Sequence, residues 1–244
     1  MQIKAFSDYD AMSQAACDAV VDILNQTPDA LISFAAGNTP LEMVRCFVNA
    51  VNQKKVDIRT ASYVSLDEWV GLGAEDVGSC ARFNEENLFS RLQDAQFAHQ
   101  YLIDGLADDL AAECQRIDTF IDAHGPLTVS VLGIGMNGHL GFNEDGVDFS
   151  LNAHVTPLSA TTKGVMSKYF DRERPLEQGI TQGIAQIMKA DTVILLANGE
   201  AKADILARAL QGPVSNDVPA SILQNHPRCI VLADHAALKN IAQS

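Results

Sequence analysis

Apolar residues are distributed along the chain in two kinds of run. Five runs are short and nearly continuous: ALISFA (30–35), TASYVSL (60–66), LTVSVLG (127–133), TVILLA (192–197) and CIVLA (229–233). A run that is apolar at successive positions predicts a strand covered on both faces, as in a parallel sheet between two layers. Between these runs the apolar positions recur with a helical period. YDAMSQAACDAVVDILNQ (9–26) puts Met12, Ala16, Val20 and either Ile23 or Leu24 on one side. PLEMVRCFVNAVNQ (40–53) opens on a proline, which suits a first helical turn because its missing N–H would have had no partner there. EAKADILARAL (200–210) is a third such stretch. Strands alternating with helices predict a doubly wound α/β sheet, in which ligands lie beyond the C-terminal ends of the strands.

The residues that follow each apolar run are therefore the ones to weigh. After the first run comes AGNTPLEM, a small turn ending in Thr39 at a helix start. Unpaired backbone N–H groups and a hydroxyl there suit a phosphate, and a Thr that simply caps the helix explains the pattern equally well. After the second comes DEWVGL. Neighbours on an extended chain point to opposite sides, so only one of Asp67 and Glu68 is expected to face a ligand. Burial beside Trp69 would raise its pKa toward that of a general base, while two exposed acids capping the next segment is the plainer reading.

After the third run comes IGMNGHLGFNEDG. Gly133, Gly135 and Gly138 fit G-x-G-x-x-G, but a dinucleotide site needs a helix after the last glycine, and HLGFNEDG is too polar and glycine-rich to supply one. His139 and Glu144, brought together by a turn, suit a proton relay instead. After the fourth run, Gly199 precedes a helix whose first turn holds Lys202, a cation placed against the helix dipole and so a candidate anion ligand, or else merely solvated.

Composition narrows the partners. The chain has 244 residues, 47% hydrophobic and 20% charged, with no repeat or linker-like segment, and one domain spanning 1–244 is expected. A formal net charge of −14 disfavours nucleic acid. No apolar run reaches membrane-spanning length, and the N-terminus lacks the features of a signal peptide, so a cytoplasmic location without membrane association is expected. The five cysteines are scattered without a CxxC pair, which argues against a disulfide framework or a zinc site. Four of them are expected as core fillers, and Cys80 sits beside a predicted loop.

The loops SLDEWVGL, GIGMNGHLGFNE, ITQGIAQIMKAD and GEAKADIL…PASILQNHP, in this order, resemble the glucosamine-6-phosphate deaminase/isomerase family, including its galactosamine-6-phosphate isomerase branch. The resemblance spans nearly the whole chain. It implies a Rossmann-like three-layer α/β sandwich and the deaminating isomerisation of a hexosamine 6-phosphate to a ketohexose 6-phosphate and ammonia, with no metal or other cofactor. It assigns Asp67 as the base that shuttles a proton between C2 and C1, His139 as the ring-opening group, and Glu144 as its relay partner. Many members carry aspartate where this chain has Asn137, so any negative charge beside His139 must come from Glu144. Phosphate would be held by Gly37, Asn38, Thr39, Lys202 and Lys168, the last standing where members commonly have arginine.

Lys168 and LDEWV lean toward the galactosamine branch, although neither lies at C4, where the two sugars differ. Members are often homo-oligomers. Two other readings stay open. A 6-phosphogluconolactonase shares the fold and a G-H loop, but carries D-E-R where this chain has DEWVG. A non-catalytic sugar-phosphate sensor on the same fold would bind the sugar phosphate yet release no ammonia. Enteric members bind an allosteric activator through basic residues that AHVTPLS (153–159) lacks. Saturation curves should therefore be hyperbolic and insensitive to N-acetylglucosamine 6-phosphate; sigmoidal kinetics relaxed by that compound would refute this.

Overall fold

The computed structural model describes residues 1–170 and 174–242. Among the described residues, seven parallel strands form the central sheet: β1 (Gln2–Phe6), β2 (Leu31–Phe34), β3 (Ser62–Val64), β5 (His99–Tyr101), β6 (Val129–Gly133), β9 (Thr192–Ala197) and β10 (Cys229–Asp234). Their spatial order is β1-β10-β9-β6-β2-β3-β5. All five predicted runs lie in this sheet. The two edge strands escaped prediction because β1 and β5 are short and largely exposed, and neither is a continuous apolar run.

Both faces of the sheet are covered. Along β9, Ile194 and Leu196 join the core beneath helices α1 (Tyr9–Gln26) and α2 (Asn38–Asn52). Val193, Leu195 and Ala197 point the other way, into a core shared with α4 (Leu110–His124), α6 (Ile184–Met188) and α7 (Ala203–Gln211). This period of two, with apolar residues on both sides, is the three-layer arrangement that the continuous runs imply. On α1 the buried stripe is Met12, Ala16, Val20 and Leu24, with Ile23 at its margin.

The site is positioned by the strand order. From β2 the chain moves outward through β3 and β5, then crosses back to β6 and moves the other way through β9 and β10. The loops after β2 and β6 therefore diverge and leave a crevice at the strand ends, the switch point of a doubly wound sheet. A second, antiparallel sheet lies at this end, ordered β4 (Asp67–Trp69), β8 (Gln178–Thr181), β7 (His154–Pro157), with Asp67 opposite Thr181. The predicted strand over 60–66 thus ends early: Ser62–Val64 lies in the main sheet, and Asp67–Trp69 just beyond it joins the small one.

Glu68 ties this end together. It is buried, and its carboxylate accepts from the backbone N–H groups of Trp69 (2.8 Å), Cys80 (2.9 Å) and Ala81 (2.7 Å). The last two open helix α3 (Cys80–Asn87), whose first N–H groups have no partner within the helix. Burial pushes the Glu68 carboxyl up to about 8, against the pull of these three donors toward the ionised form. Replacing Glu68 with Ala strands buried donors, and stability should fall by about 2–4 kcal/mol. In urea denaturation the midpoint of Glu68→Gln, which keeps an acceptor oxygen, should lie between those of wild type and Glu68→Ala. An unchanged midpoint for Glu68→Ala would contradict this role.

Candidate active site

A cavity of about 420 Å³ opens at the switch point, within the range of small-molecule sites. Seven of the nine residues singled out in the sequence line it: Gly37, Asn38, Thr39, Asp67, His139, Lys168 and Lys202. The other two, Asn137 and Glu144, stand behind His139 and act on it rather than on the cavity.

One wall is the start of α2. The sequence left Thr39 as a capping candidate; the cap position instead falls on Gly37, which has no side chain to cap with, and the Tyr9 hydroxyl bridges the Asn38 carbonyl and the Glu42 N–H one turn on. Gly37 has φ 116°, a conformation costly for any residue with a Cβ. The first turn thus presents backbone N–H groups to the cavity, the arrangement that suits an anion. Lys202 faces the same region. It precedes α7 rather than lying in it, in a short 3₁₀ turn (Glu200–Lys202), and its Nζ donates to the carbonyl of Ile134 (2.7 Å). Burial, with a smaller contribution from the charge of Lys168, brings the Lys202 ammonium down to about 8. The partly buried Lys202 feels the charge of the exposed Lys168, and an anion beside both would be favoured.

Asp67 lies on another wall and Glu68 is turned away from it, as alternation on a strand requires. Burial pushes the Asp67 carboxyl up to about 6, opposed by the Cys80 thiol, which donates to Oδ1 (3.4 Å), and by the charge of His139. Trp69 forms the adjoining apolar wall, packed edge-on against Phe142 (4.6 Å between ring centroids) and Phe170 (5.4 Å).

The glycine-rich loop after β6 holds no helix, so the apparent dinucleotide fingerprint serves another purpose. A Cβ on Gly135 would come within 2.2 Å of the His139 ring, and one on Gly141 (φ 57°) within 2.6 Å of Thr181 Oγ1. The loop lacks side chains there because the imidazole and the second sheet occupy that space. His139 Nδ1 meets Glu144 Oε2 at 3.2 Å and Thr162 Oγ1 at 3.3 Å. Burial would raise the Glu144 carboxyl, but hydrogen bonds from His139, Thr162 and Asn137 and the charge of His139 outweigh it and hold the group down at about 2. A proton on Nδ1 would satisfy the ionised Glu144 and leave Nε2, without a protein hydrogen bond among the described residues, free to meet a ligand.

Asn137 donates through Nδ2 to Glu144 Oε2 (2.8 Å) and Asp145 Oδ1 (2.9 Å), and its Oδ1 accepts from the backbone N–H of His139 (3.3 Å). Sequence reasoning missed Thr162, Ser159 and Cys80. Ser159 caps the short helix α5 (Ala160–Val165), which carries Thr162, and its hydroxyl also sits 3.2 Å from Asn137 Nδ2. The only trace of this in the sequence is an S-x-x-T spacing. Cys80 lies beside a loop, as expected, and is the first residue of α3, which itself went unpredicted because CARFNEEN has no strong apolar period.

The family model for glucosamine-6-phosphate isomerases/6-phosphogluconolactonase matches residues 7–231. The chain belongs to this family. A glucosamine-6-phosphate deaminase of Geobacillus sp. (strain WCH70) is 37% identical over 239 residues, covering 98% of this chain and 95% of the relative. One from Streptococcus suis (strain 05ZYH33) is 39% identical over 212 residues, covering 86% and 87%. The fold is that of a solved monomeric glucosamine-6-phosphate deaminase, with a TM-score of 0.94 and 32% identity over 98% of this chain and 100% of the other. A 6-phosphogluconolactonase from Trypanosoma brucei aligns at a TM-score of 0.73 with 20% identity and shares the fold alone. Within the family, then, these relatives at high coverage are deaminases, and the chain is an enzyme of amino-sugar phosphate metabolism.

The seating of His139 against a bare glycine can be tested directly. Gly135→Ala should leave the protein folded but displace the His139 ring from Glu144. Proton and nitrogen NMR of the imidazole would then lose the signature of an Nδ1–H bonded to a carboxylate. An unmoved ring signal would show that Gly135 is not what seats the histidine.

Proposed function

We propose that this enzyme converts glucosamine 6-phosphate and water to fructose 6-phosphate and ammonia. The observation that carries this reading is one cavity with a carboxylate held near neutrality, a histidine backed by an ionised glutamate, and an anion-binding end made of an uncapped helix start and two lysines. The deaminase relatives support glucosamine over its C4 epimer.

In this mechanism the phosphate sits against Gly37, Asn38 and Thr39, between Lys168 and Lys202. His139 Nε2 takes the proton from the anomeric hydroxyl and delivers it to the ring oxygen, which opens the pyranose. The imidazolium formed in passing is stabilised by Glu144, already ionised and held in place by Asn137. Asp67 then removes the proton from C2 as the substrate's 2-ammonium group gives up a proton and O1 takes one, which makes an enolamine; Asp67 returns the C2 proton at C1. The resulting imine at C2 adds water and expels ammonia. The Asp67 carboxyl is suited to both directions of transfer, because a group that titrates at about 6 can hold a proton briefly without keeping it.

Ammonia release from glucosamine 6-phosphate, with kcat/KM lower by about tenfold or more for galactosamine 6-phosphate, is the expected result. Because Asp67 acts as the carboxylate, kcat/KM should fall as pH drops through about 6. Asp67→Asn should lose on the order of 10²-fold or more in kcat while still binding the sugar phosphate. Binding without ammonia release by the wild-type protein, or hydrolysis of 6-phosphogluconolactone in its place, would overturn the proposal.

A further inference from the structure

Asp67 has two carboxylate oxygens, and they have different neighbours. Oδ1 accepts the Cys80 thiol at 3.4 Å. Oδ2 is the atom that lies toward the bare backbone of Gly141, where a Cβ would come within 3.4 Å of it. Cys80 is buried and lines the cavity. Its backbone is fixed independently of its side chain, since Glu68 accepts its N–H at 2.9 Å. The thiol therefore approaches the candidate base from a rigid helix start, next to a second carboxylate that is itself held by three backbone donors.

We propose that Cys80 is a positioning residue for Asp67: its S–H anchors Oδ1, fixes the plane of the carboxylate and leaves Oδ2 as the oxygen that moves the substrate proton. This rests on the assignment of Asp67 as base. The thiol works here as a hydrogen-bond donor and not as a nucleophile, because burial and the two neighbouring carboxylates keep its own pKa well above the ordinary thiol value. The titratable groups around Asp67 come from four elements. Cys80 approaches from α3, His139 from the loop after β6, Glu68 adjoins it on β4, and Tyr63, on β3, is near enough to feel the Asp67 charge. Of these, Cys80 is the one that hydrogen-bonds the Asp67 carboxylate.

Cys80→Ala and Cys80→Ser differ from each other by one hydroxyl and leave the Glu68 contact with the backbone intact. Removing the donor disfavours ionised Asp67, so the acid limb of kcat/KM should move to higher pH by about 0.5 to 1 in Cys80→Ala. In Cys80→Ser, whose hydroxyl is a stronger donor, it should return to the wild-type position or below. KM should stay within about twofold in both, since Cys80 does not hold the phosphate, while kcat should drop several-fold in Cys80→Ala as the carboxylate plane loosens. A purely structural cysteine would give a different pattern: water entering the space left by the sulfur would move the limb of Cys80→Ala to lower pH. Coincident limbs for wild type, Ala and Ser, or a downward move in Ala, would overturn the proposal. Full activity in Asp67→Asn would instead remove the assignment on which it rests, so the two failures are told apart.

Discussion

The division of labour between Asp67 and Glu68 is the constraint on which the site depends. Two adjacent carboxylates on a strand cannot face the same way. Glu68 goes inward and takes up the N–H groups that open α3, and in doing so it fixes a helix that supplies one wall of the cavity. Asp67 is thereby committed to the cavity. The small antiparallel sheet completes the arrangement, because pairing of Asp67 with Thr181 sets how far the carboxylate stands from the glycine-rich loop. An acid that holds the scaffold and an acid that can exchange protons are thus produced by one strand.

The relay behind His139 obeys a similar economy of charge. With Glu144 and Asp145 both within hydrogen-bond distance of residue 137, an aspartate at that position would bring a third carboxylate into the cluster. Asparagine avoids the repulsion and adds a donor. Its amide holds Glu144 Oε2 at the ring nitrogen and accepts the His139 N–H, so the neutral residue orients both partners without competing for the proton. The absence of charge at 137, which the sequence alone leaves as a deficit, is consistent with the charges that surround it.

Much of this was legible in the sequence, for identifiable reasons. The buried strands announced themselves as continuous apolar runs, and their C-terminal ends pointed to the loops that hold Asp67, His139 and Lys202. What was not legible depends on contacts between distant segments. Thr162 reaches His139 across 23 positions of chain, and Cys80 reaches Asp67 across 13, with no periodicity to betray either. The edge strands and the second sheet were hidden because three- to five-residue strands with exposed positions carry too little pattern. The glycine spacing alone is ambiguous for a physical reason: a loop stripped of side chains to admit a phosphate and one stripped to admit an imidazole look alike until the atom that fills the space is known.

The same reasoning explains how a strongly acidic chain can hold an anion. Apart from buried carboxylates such as Glu68, Glu113 and Glu144, the acids behind the net charge of −14 are mostly at least partly exposed, where charges more than about 8 Å apart are screened at physiological salt. The end of the cavity proposed to take the phosphate is shaped by local terms: the start of α2, an ammonium anchored on the Ile134 carbonyl, and a second lysine close enough to depress it. A dianionic phosphate entering there would neutralise the repulsion between Lys202 and Lys168 and restore the proton affinity that burial has taken from Lys202. On the proposed reading, the repulsion that Lys202 feels from Lys168 would be relieved by the phosphate of the substrate, and the reacting end of the sugar would be left to Asp67 and His139.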